Sequence, residues 1–122
     1  MIRSTRLLLA FLFSFTLATQ CLAAESLEKT IGYLINYVAT SKVTFIRNGD
    51  AHTGDEAAKH IKAKYDHFKA DIKTPEDFIR LSASKSLLSG KPYLVRTADG
   101  KETRLDEWLT EALKQHRAQT GQ

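Results

Sequence analysis

Apolar residues along this chain recur at helical spacing in some stretches and in short β-branched runs in others, and each pattern predicts an element. Leu27, Ile31, Leu34, Ile35 and Val38 return every three or four residues. At 100° per residue they share a stripe about 100° wide, which predicts a core-facing helix from Ser26 to Ser41 with Ser26 as its N-cap. Tyr33 and Tyr37 fall off that stripe, where they serve either as a partner-binding patch or as packing for a neighbouring helix. Val43 to Arg47 (VTFIR) is short, β-branched and aromatic, so it reads as a strand. Asn48-Gly49-Asp50 breaks it. Asn-Gly is a frequent hairpin turn, but here a helix signature follows instead. Thr53 and Glu56 have capping-box spacing, and Ala57, Ala58, Ile61, Tyr65 and Phe68 then carry a second apolar stripe to about Lys69 or Ala70.

Thr74-Pro75-Glu76-Asp77 starts a third helix. Threonine caps, proline takes the first turn where its missing N–H costs nothing, and the acids face the positive end of the helix dipole. Phe78, Ile79 and Leu81 are its core residues, and the serine-rich run from Ser82 to Ser89 ends it before Gly90-Lys91-Pro92. Tyr93 to Thr97 and Lys101 to Leu105 flank Ala98-Asp99-Gly100 as a β-hairpin. A last helix, Asp106 to about Gln115, turns Leu105, Trp108, Leu109, Ala112 and Leu113 to one side. The predicted order is α-β-α-α-β-β-α. This is a small single α+β domain, with about four helices around a short β-hairpin plus one further strand.

The N-terminal stretch follows a different logic. Arg3 and Arg6 precede an uncharged apolar run from Leu7 to Leu17, and Ala18 to Ala24 adds small residues and a polar break. That order is expected of a cleavable signal peptide over residues 1–23, with the domain at residues 24–122. A bilayer-spanning helix needs roughly 20 apolar residues, more than this run offers. Cutting after Ala23 puts Cys21 and Ala23 at the −3 and −1 positions; cutting after Ala24 is the alternative and places Leu22 at −3. A lipoprotein reading, with Cys21 acylated, meets Gln20 and Ala18 where small and leucine-like residues are wanted.

Composition then sharpens the picture. Removing residues 1–23 takes away Arg3 and Arg6 and no acid, which lowers the net charge of the 122-residue chain from +4 to +2. Such a balance does not suggest a nucleic-acid partner, which usually shows a clustered basic face. Cys21 is the single cysteine, so the mature chain would have none, and disulfides and thiol chemistry drop out. The expectation is a periplasmic protein with no stable membrane anchor after signal cleavage.

Candidate chemistry gathers in two polar stretches. The first runs from Arg47 and Asn48 through His52 to Glu56, with His60 one turn on. Arg47, His52 and the free N–H groups of a helix start suit an anion. Asp50, Asp55 and Glu56 oppose one there, and a strand-to-helix turn built from turn and cap residues is the better reading of the stretch. His52, Glu56 and His60 are spaced as metal ligands on one helix side, but His52 precedes the cap and the order is not H-E-x-x-H. No metal or cofactor is therefore expected. The second stretch holds Ser84, Ser86 and Tyr93. Ser82-Ala83-Ser84-Lys85 matches S-x-x-K, yet neither S-D-N nor K-T-G follows, so the hydroxyls read as satisfying loop backbone. His116 reads as structural and His67 as solvated.

Phe45 to Thr53, Asp55 to Ala58 with His60, Thr74 to Ile79, Ser84 to Ser86 and Ser89 to Tyr93 resemble, in order and spacing, the YfeK-like family of small exported bacterial proteins. The resemblance covers about half of the mature chain. It implies an exported single-domain protein and no reaction, the family being a domain of unknown function. Two functions fit. One is a non-enzymatic binding or interaction module of the cell envelope, whose partner is an envelope protein or a small polar ligand. It would use Arg47, Asn48, His52, Glu56, His60, Ser84, Ser86 and Tyr93. The other is a small hydrolase or metal-dependent enzyme built on His52, Glu56 and His60 with the Ser82–Tyr93 loop. A purely structural protein with a tyrosine face is a third.

Overall fold

Four short strands and four helices alternate in pairs along residues 26–121, the residues described by the computed structural model. The expected signal segment lies outside them. Helix α1 covers residues 26–40 and buries Ile31, Leu34 and Val38, as its periodicity predicts. Ser26 does not cap it: the residue is already helical, and its carbonyl accepts the Thr30 hydroxyl at 2.9 Å.

Strand β1 (Thr44–Arg47) pairs antiparallel with β2 (Asp50–His52). The Asn-Gly pair is thus a hairpin turn, not a plain break. Asn48 and Gly49 have φ of 53° and 82°, the positive pair that a type I′ turn needs, and these two residue types adopt it at least cost. Strand β3 (Leu94–Arg96) pairs with the other edge of β1, and β4 (Glu102–Arg104) with β3. The sheet order is β2-β1-β3-β4, so two hairpins join through their inner strands, with Phe45 opposite Val95 in the core. The α+β class holds, and the strand expected to stand alone is half of a second hairpin.

Helix α2 (Gly54–Phe68) follows β2 after one residue and ends in a 3₁₀ turn at Lys69–Asp71. Thr53 caps it, its hydroxyl accepting from the Glu56 N–H at 3.2 Å. The return half of the predicted capping box is missing, because the Glu56 carboxylate turns to His52 instead. Gly54 sits against the end of α1: a Cβ there would press into the Val38 carbonyl and lie 2.9 Å from that of Ser41. Helix α3 (Pro75–Ser82) has the full capping box, Thr74 with Asp77. Helix α4 (Leu105–Thr120) starts directly from β4, runs five residues past the expected end and stops at Gly121 in the left-handed conformation.

Helix α4 also decides the role of the tyrosines. Tyr33 stacks on His116 at 4.0 Å, and Tyr37 meets Trp108 at 4.7 Å between ring centroids. Both are half-buried. They are the packing of α1 on α4, which leaves no free tyrosine face. Phe78 is fully buried among the core residues, Ile79 is buried, and Leu81 is half-exposed.

Candidate functional site

The two polar stretches meet. From the β1–β2 turn, the Asn48 amide donates to Ser86 Oγ at 3.2 Å, and the Ser89 hydroxyl donates to the Asn48 side-chain oxygen. From the end of β1, Arg47 Nη1 lies 2.7 Å from His60 Nδ1. His60, on α2, faces Tyr93 at the start of the second hairpin, with Nε2 3.0 Å from the phenol oxygen. Lys64, one turn further along α2, donates to the same phenol at 3.2 Å and to the Lys85 carbonyl at 2.8 Å. Two hydrogen-bonded groups, Asn48 with Ser86 and Ser89, and Arg47 with His60, Tyr93 and Lys64, therefore tie the first hairpin, α2 and the Ser84–Tyr93 loop together.

Lys64 was not among the residues expected here. A lysine normally reads as solvated, yet this one is 8% exposed. The legible signal was its place four residues after His60, on the same side of α2.

The second of these groups is rich in donors. Arg47 and Lys64 have no carboxylate within 4.0 Å among the described residues. Arg47 Nη1 lies 2.7 Å from His60 Nδ1 and 3.2 Å from Nε2, and a guanidinium only donates, so the imidazole meets it as an acceptor. Burial lowers the His60 pKa, and the positive charges of Arg47 and Lys64 lower it further. Burial first, then Arg47 and Lys85, lowers that of Lys64, whereas burial raises that of Tyr93. The imidazole is thus neutral at pH 7 and the phenol protonated.

His52 and Glu56 belong to neither group. They pair with each other at 3.0 Å on the rim of a cleft of about 30 Å³ that Arg47, His60 and Tyr93 also line. That volume suits one or two waters and is far below the ~300 Å³ at which small-molecule pockets begin. No three His, Cys, Asp or Glu side chains group as metal ligands among the described residues. His60 in particular has the Arg47 guanidinium against both ring nitrogens, at 2.7 and 3.2 Å.

The serines separate by role. The Ser84 hydroxyl donates back to the Arg80 carbonyl at 2.6 Å and joins nothing at the site, where only the Ser84 carbonyl takes part, accepting the Tyr93 N–H at 3.0 Å. Ser86 is buried, and its Oγ lies within 3.2–3.4 Å of three donors: the Asn48 amide and the N–H groups of Leu88 and Ser89. It shapes the loop and is not a free nucleophile. The Gly90 N–H closes the turn on the Ser86 carbonyl at 2.9 Å. Above this base stand Leu87 and Leu88, 67% and 97% exposed, a pair that sequence reasoning passed over because it sits inside a polar run.

The model of a family described as "Family of unknown function (DUF5329)" matches residues 25–117. The uncharacterized protein YfeK of Salmonella typhimurium is 43% identical over 67 residues, which is 54% of this chain and 56% of that protein. The match thus spans little more than half the length of that curated relative. No solved structure matches.

Proposed function

Because the chain belongs to the DUF5329 family of unknown function, whose membership assigns no reaction, we propose that it works as a non-enzymatic interaction module of the cell envelope, exported to the periplasm. Its contact surface is the Ser84–Tyr93 loop together with the Asn48-Gly49 turn that meets it. One observation carries this reading: two adjacent leucines stand almost fully in solvent on a loop whose base is hydrogen-bonded and buried. An isolated exposed apolar residue is ordinary, but a pair held out on a fixed turn is the form that contact surfaces take. The polar groups beneath support the loop. They offer no nucleophile beside a base, since the Ser84 hydroxyl turns away and Ser86 is engaged as an acceptor. Export is supported by the charge–apolar–small order of residues 1–23 and by the YfeK-like resemblance.

The test is a photoreactive amino acid placed at Leu88, with Lys114 on the exposed side of α4 as control, irradiated in living cells. The expected result is an adduct from position 88 alone, in the envelope fraction, on a chain whose N-terminus is Ala24. Equal adducts from both positions, or none from 88, would end the reading.

A further inference from the structure

We infer that the Ser86–Ser89 tip is a peripheral contact for an anionic lipid surface, with Leu87 and Leu88 entering the apolar edge of a bilayer and Lys85 and Lys91 meeting headgroup phosphates. This deepens the proposal above and rests on its reading of the loop as the contact surface.

Three features of the tip fit lipid. First, it protrudes: Leu87 to Lys91 are all exposed, so the leucines form a projection that can sink into a soft surface. Second, its backbone is largely satisfied from within. The N–H groups of Leu88 and Ser89 face Ser86 Oγ, that of Gly90 bonds the Ser86 carbonyl, and that of Lys91 bonds Ser89 Oγ. Leaving water strands backbone donors unless the segment supplies their partners, and this turn does. Third, the segment that carries it is basic. Residues 78–98 contain no acid and include Arg80, Lys85, Lys91 and Arg96. Arg80 and Arg96 are paired with Asp77 and Glu102, but Lys85 and Lys91 have no carboxylate within 4.0 Å among the described residues. An apolar projection flanked by unpaired lysines is complementary to an anionic membrane, where each basic residue near the surface adds to the binding. Asp50 follows the facing turn in the chain, and Lys85 lines a cleft together with Glu76, Asp106, Glu107 and Glu111, so Lys91 is the lysine clear of acids. No helix among the described residues is long and apolar enough to cross a membrane, so the contact is peripheral and reversible.

The experiment uses the chain lacking residues 1–23, with a cooperative thermal melt to show that it and each variant are folded. It is sedimented with vesicles of phosphatidylglycerol and, separately, of phosphatidylcholine. Binding to phosphatidylglycerol is expected, weakening as salt rises. A Leu87→Ser/Leu88→Ser double variant should bind at least ten-fold more weakly, and Lys85→Gln/Lys91→Gln should lose most of the salt dependence. Absence of binding to phosphatidylglycerol, equal binding to phosphatidylcholine, or unchanged binding by the leucine variant would overturn the lipid assignment. If vesicles fail while position 88 still forms an adduct with a protein in cells, the lipid assignment falls and the interaction surface stands. If both fail, both fall.

Discussion

Arg47 Nη1 approaches His60 Nδ1 to 2.7 Å and Nε2 to 3.2 Å, and that contact disfavours a charged imidazole. A guanidinium has no lone pair to offer, so a second ring proton would face a cation head-on. Burial, Arg47 and Lys64 hold the His60 pKa below its ordinary 6.5. The unfolded chain then binds a proton that the folded chain refuses, and stability rises with pH. This contribution is complete above about pH 6.5 and is lost as pH falls through the lower folded value. The melting temperature is expected to be lower at pH 5.5 than at pH 7.5. His60→Asn should remove much of that slope. Glu76 and Asp77, whose pKa values are themselves lowered, titrate below the window and do not mimic it.

Tyr93 and Lys64 act as a pair. Tyr93→Phe leaves the Lys64 ammonium short of one acceptor, and about 1–2 kcal/mol of stability should go with it. In a Lys64→Met background the same change should cost clearly less, because the buried donor that needed the phenol is gone. Denaturant melts of the four proteins measure the coupling. Additive losses would show that the two side chains do not share a bond.

At Gly54 the start of α2 lies hard against the end of α1. Gly54→Ala drives a methyl against the Val38 and Ser41 carbonyls, both backbone and unable to swing away. A loss of about 2–4 kcal/mol is expected in a denaturant melt. Gly49 is the internal contrast, with open space around its Cβ position and a cost set by its positive φ alone.

Much of this fold was legible in the chain. Thr53, Thr74, Pro75 and the stripes of α1, α2 and α4 announce their helices because caps and periodicity are local signals. Strand β2 was not, for it is three residues long, two of them exposed, and carries no alternating apolar face. The Asn-Gly turn and the Thr53 cap were both true signals lying four residues apart, and reading the second suppressed the first. The site was half legible. Arg47, Asn48, His60, Ser86 and Tyr93 do converge, whereas Ser84 looked equivalent to Ser86 until the path of the loop set one hydroxyl inward and the other along α3. The YfeK-like resemblance agrees with the family match.

Ser86 is the device that shapes the tip. Ser86→Ala removes one oxygen from two N–H groups and the Asn48 amide. Hydrogen exchange at Leu88 and Ser89 should rise at least ten-fold, while amides of α4 stay protected, because the change is local. Global stability should fall by about 1–2 kcal/mol. Unchanged exchange at the tip would mean that the loop holds its shape without this side chain.

The most direct test of the account takes advantage of a chain that carries no cysteine after Cys21. Leu88→Cys in the chain lacking residues 1–23, labelled with an environment-sensitive fluorophore, is mixed with isolated cell-envelope membranes, alongside Lys114→Cys as control. The account predicts a blue-shifted, brighter emission from position 88 and none from position 114. Emission from 88 that stays that of a dye in water would contradict it.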